Sequence, residues 1–172
     1  MPSAVTTVLL MGALMGAPAF AYDTEGVRRM CADIQLEQCG DGECGFYRLN
    51  ERSCVKILTM ERDFQGAQME CDGLQGQVVK VRNEEEHKKL LCMMMRVFPW
   101  RLHYWIGAVR GRDGAFYWVD GSGPVMFAPW REFQPDNRHR EEDCVWMNSG
   151  TWGPWNDGPC YASSSVACQI AM

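Results

Sequence analysis

The chain has 172 residues, and its 47% hydrophobic content with seven tryptophans supplies a core for one domain, which argues against a second full one. Its net charge of -5 is spread over both signs without a basic block, which excludes nucleic acid and an anionic membrane surface as obvious partners. After the first residues no apolar run reaches membrane-spanning length, so no membrane insertion is expected.

Residues 1–21 carry no charged side chain, hold the apolar stretch Val8-Leu9-Leu10-Met11 and finish Ala19-Phe20-Ala21. This pattern predicts a signal peptide cleaved after Ala21. The competing reading, a buried apolar amino-terminal helix, fits less well with a short, Gly- and Ala-rich segment that turns polar at once. All nine cysteines follow Ala21, as an oxidising compartment requires, so the protein is expected to be secreted and extracellular.

Residues 22–43 form a polar, acidic extension with Cys31 and Cys39 and few large apolar side chains, and they read as an appendage. A domain is then expected over 44–172. It opens with two β-prone runs, Cys44-Gly45-Phe46-Tyr47 and Cys54-Val55-Lys56-Ile57, separated by polar Asn50-Glu51-Arg52-Ser53 as in a hairpin. Between Thr59 and Leu74 the spacing of Phe64, Ala67, Cys71 and Leu74 predicts an amphipathic helix. Asn83, with Glu86 three residues on, caps a second, whose face holds His87, Leu90, Leu91, Met94 and Val97 and which Pro99 ends. Short β-prone runs follow at 104–107, 116–119, 144–147 and 166–170, with Trp105, Trp118 and Trp146 read as core. Helices early and strands late give an α+β domain, and the Gly-, Pro- and charge-rich stretch 120–140 is a long functional loop.

Gln134-Pro135-Asp136, Glu142-Asp143-Cys144 and Trp155-Asn156-Asp157 together carry the chemistry. Gln134, Asp136, Glu142, Asn156 and Asp157 each offer a side-chain oxygen, and the Asp157 carbonyl adds another, toward the about six to eight that calcium takes. Gln134-Pro135-Asp136 taken alone is an ordinary turn, and Asn156-Asp157-Gly158-Pro159 is another. His87, His103 and His139 lack a zinc-ligand spacing, and no nucleophile, base and orienting partner form a motif, so no enzyme is expected.

In this order, the hairpin cysteines Cys44 and Cys54, Cys71, Trp105-Ile106-Gly107-Ala108, Trp118-Val119-Asp120-Gly121, Cys144, Cys160 and Cys168 resemble the C-type lectin-like domain family from about Cys44 to Cys168. The resemblance implies two helices, two small antiparallel sheets and a calcium-binding loop region. It implies the disulfides Cys44–Cys54, Cys71–Cys168 and Cys144–Cys160, with Cys31–Cys39 as the expected remaining pair. Cys92 is then free, buried as a thiol, or the link of a disulfide-bonded homo-oligomer. It also implies a cis Gln134-Pro135 bond and a Ca2+ held by Gln134, Asp136, Glu142, Asn156 and Asp157.

The order amide-proline-carboxylate resembles galactose-type members, so glycans with terminal galactose or related sugars are the implied partners. Gln134, Asp136, Glu142 and Asn156 would contact the sugar. Arg138 stands where such members carry an aromatic ring, with His139 and Trp152 as nearby candidates to approach the sugar. Where some members of the family need acids for an auxiliary calcium site this chain reads Arg110-Gly111-Arg112-Asp113, so that site is expected to be absent. The leading expectation is a calcium-dependent lectin that recognises glycans on cells or microbes. Two alternatives use the same fold: a type II antifreeze-like protein, disfavoured because Trp130 to Asp143 holds no cysteine, and a calcium-independent interaction module such as a toxin subunit or matrix protein.

Overall fold

A computed structural model describes residues 24–40, 45–99, 103–148 and 153–172. The expected signal peptide, Cys44 and Trp152 lie outside them. Helix α1 (Thr24–Ala32) leads to the hairpin β1 (Tyr47–Asn50) and β2 (Ser53–Arg62). Helix α2 (Phe64–Asp72), the short strand β3 (Gln77–Val78) and helix α3 (Glu84–Val97) follow. The second half holds β4 (His103–Arg110), β5 (Phe116–Trp118), a 3-10 turn (Arg138–Arg140), β6 (Cys144–Asn148), β7 (Trp155–Gly158) and β8 (Ser164–Ala171).

The expected helix between Thr59 and Leu74 is shorter at its start, because β2 stays paired through Arg62, opposite Ser164. Asp63 then caps α2 by accepting the Gly66 amide at 2.7 Å. Asn83 caps α3 in the same way, accepting the Glu86 amide at 2.9 Å.

In place of two separate small sheets, the strands run β1-β2-β8-β4-β6-β7, with β3 on β8 and β5 on β4. The two antiparallel groups join where Tyr104 of β4 meets Ser165 of β8 in parallel. Both of these strands are buried on two faces, which is why they read as nearly continuous apolar runs. Tyr104, Ile106 and Ala167 face the main core with Leu90, Leu91, Met93 and Met94 of α3. Trp105, Val166 and Cys168 face the opposite way, toward Phe64, Ala67 and Cys71 of α2. Gly107 is fixed by this crowding, since a Cβ there would lie 2.5 Å from the Val78 carbonyl oxygen.

Cys71 is bonded to Cys168 and Cys144 to Cys160. The other two disulfides correct the expectations for this end of the chain. Cys31 is bonded to Cys92 rather than Cys39, because α1 lies against α3 and brings the two Cα atoms to 5.3 Å. Cys92 is therefore neither a free thiol nor an intermolecular link. Cys54 is bonded to Cys39 rather than Cys44. The Cys39 amide donates to the Phe46 carbonyl at 2.9 Å and Gln38 bridges Tyr47, which lays Cys39 along the hairpin. The 24–40 segment is no loose appendage, for Val27 of α1 is fully buried in the main core.

Candidate calcium and carbohydrate site

The site is assembled where the long loop after β5 is tied down on β7. Trp155 is fully buried and packs edge-on against Trp118, Phe127 and Trp130 at ring distances of 6.0–6.3 Å. Its amide donates to the Pro129 carbonyl at 2.8 Å, and its carbonyl accepts the Arg131 amide at 2.8 Å. This short clasp carries the loop past the two residues that follow Trp155, namely Asn156 and Asp157. Gln134-Pro135 is cis.

Asp157 is completely buried, and its carboxylate accepts the backbone amides of Asp136 at 3.1 Å and Asn137 at 2.8 Å. Asn137 adopts a left-handed backbone, φ 45°, and its side-chain oxygen accepts the Glu142 amide at 3.2 Å. Glu142 answers by accepting the Arg138 amide at 3.0 Å. These bonds fold 136–142 into a turn that brings oxygens of Asp136, Glu142 and Asp157 all within 4.8 Å of one another. Burial, and then the Asp136 and Asp157 carboxylates, push the Glu142 carboxyl above its ordinary range, against the Arg138 amide, which favours the ionised form.

Excess negative charge among hard oxygen donors fits a calcium ion. Gln134 and Asn156, the other candidate ligands, each hydrogen-bond to a residue of that cluster. The Gln134 side-chain oxygen accepts the Asp136 amide at 3.3 Å. The Asn156 amide nitrogen donates to the Asp157 carbonyl, which leaves that carbonyl a second lone pair. His139 sits on the exposed 3-10 turn between Arg138 and Arg140. Phe133, immediately before the motif, is 86% exposed with a left-handed φ of 65°.

The residue missed by the sequence reading is Arg110, at the end of β4. It forms an ion pair with Asp157 and donates from Nη2 and Nε to the Glu142 carbonyl at 3.0 and 3.2 Å. The available signal was an arginine two residues beyond Ala108 in an otherwise apolar strand, a position where the side chain runs into the buried layer.

Three comparisons bear on this arrangement. The family profile described as "Lectin C-type domain" matches residues 60–170. The chain is 32% identical over 139 residues to C-type isolectin Sp-CL4 from Scorpaena plumieri, across 80% of this chain and 92% of that protein. It is 28% identical over 123 residues to collectin-11 from Bos taurus, across 72% of this chain but 45% of the longer protein. Among solved structures, C-type lectin CEL-I from Cucumaria echinata superposes with a TM-score of 0.69 at 23% identity, covering 77% of this chain and 97% of that one, which is a likeness of fold. With the family profile covering well over half its length, this chain belongs to the C-type lectin domain family.

Proposed function

We propose that this chain is a secreted, calcium-dependent carbohydrate-binding lectin of galactose type and has no catalytic role. The observation that carries the reading is the group of three carboxylates, Asp136, Glu142 and Asp157, whose oxygens lie within 4.8 Å of one another beside Gln134 and Asn156. Those five residues would hold the ion. Bound calcium supplies an electron-poor centre that accepts lone pairs from two vicinal sugar hydroxyls. The Gln134 and Asn156 amides donate to the hydroxyl oxygens, and the Asp136 and Glu142 carboxylates accept the hydroxyl protons. Amide before Pro135 and carboxylate after it supports galactose over mannose. Four disulfides among the described residues, together with the sequence ending Ala19-Phe20-Ala21, support an extracellular protein. No described helix is long and apolar enough to cross a membrane.

A glycan array probed with calcium and with chelator tests this. Binding to terminal galactose that disappears in chelator is expected. Undiminished binding in chelator would place the contact elsewhere and favour a calcium-independent interaction module.

A further inference from the structure

The buried Asp157 carboxylate has a cationic partner that no calcium reading of the site requires. Arg110 has a side chain only 13% exposed and reaches Asp157, which has none of its side chain exposed. Its guanidinium is fixed from several directions. Besides Asp157 and the Glu142 carbonyl, Nε lies 3.4 Å from Asp143 Oδ1, Nη1 donates to the Gly114 carbonyl at 3.4 Å, and the plane stands 4.5 Å from the centre of the Phe116 ring. The Arg110 amide donates to the Asp143 carbonyl at 2.8 Å, so backbone and side chain hold the same neighbours. A planar five-donor group suits this task where a lysine ammonium would not.

A buried carboxylate beside two others is costly to keep ionised without a counter-charge. The three clustered carboxylates, with the Asp143 carboxylate at Nε, outnumber the one guanidinium by three, so the site stays acidic enough for a divalent ion. We infer that Arg110 is a positioning residue that acts as a built-in cation, holding Asp157 and the Glu142–Asp143 backbone in place whether or not calcium is bound. The folded loop then does not depend on the metal, and calcium meets a prearranged site. The cost is affinity, because a fixed positive charge beside Asp157 repels the incoming ion. This inference rests on the proposed calcium site, and the experiment below separates the two.

Thermal melts of the wild-type chain, R110Q and R110K are compared in excess chelator and in saturating calcium, with calorimetric calcium titration. In chelator R110Q should melt roughly 10 °C below wild type, as expected for a buried carboxylate left without its partner in a chain of this size. Saturating calcium should remove about half of that deficit, and R110Q should bind calcium about tenfold more tightly than wild type. R110K, which keeps the charge but not the fork, should fall between them. R110Q melting like wild type in chelator overturns the inference, as does a deficit that calcium leaves unchanged, since an ordinary packing role would give that. If R110Q folds in neither condition, R110K decides: a larger calcium-induced rise than in wild type supports the role, and an equal rise overturns it. A wild-type chain that calcium fails to stabilise overturns the calcium site itself. Arg110 is then judged on the chelator melts alone, where a deficit in R110Q that R110K partly restores supports the cation role, and no deficit, or one equal in both variants, overturns it.

Discussion

The Asn137 backbone amide donates to the Asp157 carboxylate at 2.8 Å, so the exposed motif loop hangs from a buried side chain twenty residues later in the chain. Asp157 therefore serves the fold and the proposed site together. Asp157→Asn places an NH2 donor among the Asp136 and Asn137 amides and the Arg110 guanidinium, and should cost about 3 kcal/mol. Chemical denaturation measures that loss. The variant should also show no stabilisation by calcium.

Trp155 fixes where those oxygens sit. Trp155→Ala empties a fully enclosed site between Trp118, Phe127 and Trp130 and should destabilise the domain by roughly 3–5 kcal/mol. Calcium-dependent glycan binding should fall with it, because the Pro129 and Arg131 clasp runs through the backbone of the same residue. Equilibrium unfolding and a binding assay on one preparation check both.

Much of this was legible in the sequence, and the misses share a cause. The caps at Asn83, the apolar faces of both helices and the runs at 104–107 and 166–170 are local patterns, and local patterns survive into the structure. The ligand-type residues on either side of Pro135 are legible because oxygen donors cluster there for no packing reason. Asn156-Asp157-Gly158-Pro159 reads as a turn, yet Asn156, Asp157 and Gly158 belong to strand β7, since oxygen-bearing side chains beside a tryptophan give no period-two signal. The Cys31 and Cys39 pairings depend on α1 lying against α3 and on 38–39 bridging the hairpin, contacts between distant parts of the chain. Arg110 reads as a missing acid, and its role emerges only once Asp157 is seen opposite it.

The Cys31–Cys92 bond spans 61 residues, and converting both to serine should cost about 2–4 kcal/mol through the freed unfolded chain. Peptide mapping without reduction should recover that crosslink within one chain. A Cys92–Cys92 crosslinked peptide would contradict it.

Asp120 gives the domain part of its acid sensitivity. Burial opposes its ionisation, yet the Lys80 ammonium, the Ser122 hydroxyl and the Ser122 amide hold its carboxyl well below the usual range. A depressed folded-state value contributes stability above the ordinary carboxylate range that is lost as pH falls through it toward the folded value. Asp120→Asn should lose about 1 kcal/mol near neutrality and show a shallower decline in acid. Melting temperatures of both proteins from neutral pH down to the carboxylate range measure the difference.

Retention on a matrix bearing terminal galactose tests the central claim most directly. With calcium the wild-type chain should be retained and then released by chelator, while Asp136→Ala, altered at an exposed residue of the cluster, should pass through although folded. Retention of Asp136→Ala equal to wild type, or no release by chelator, would contradict a sugar site built on Asp136, Glu142 and Asp157.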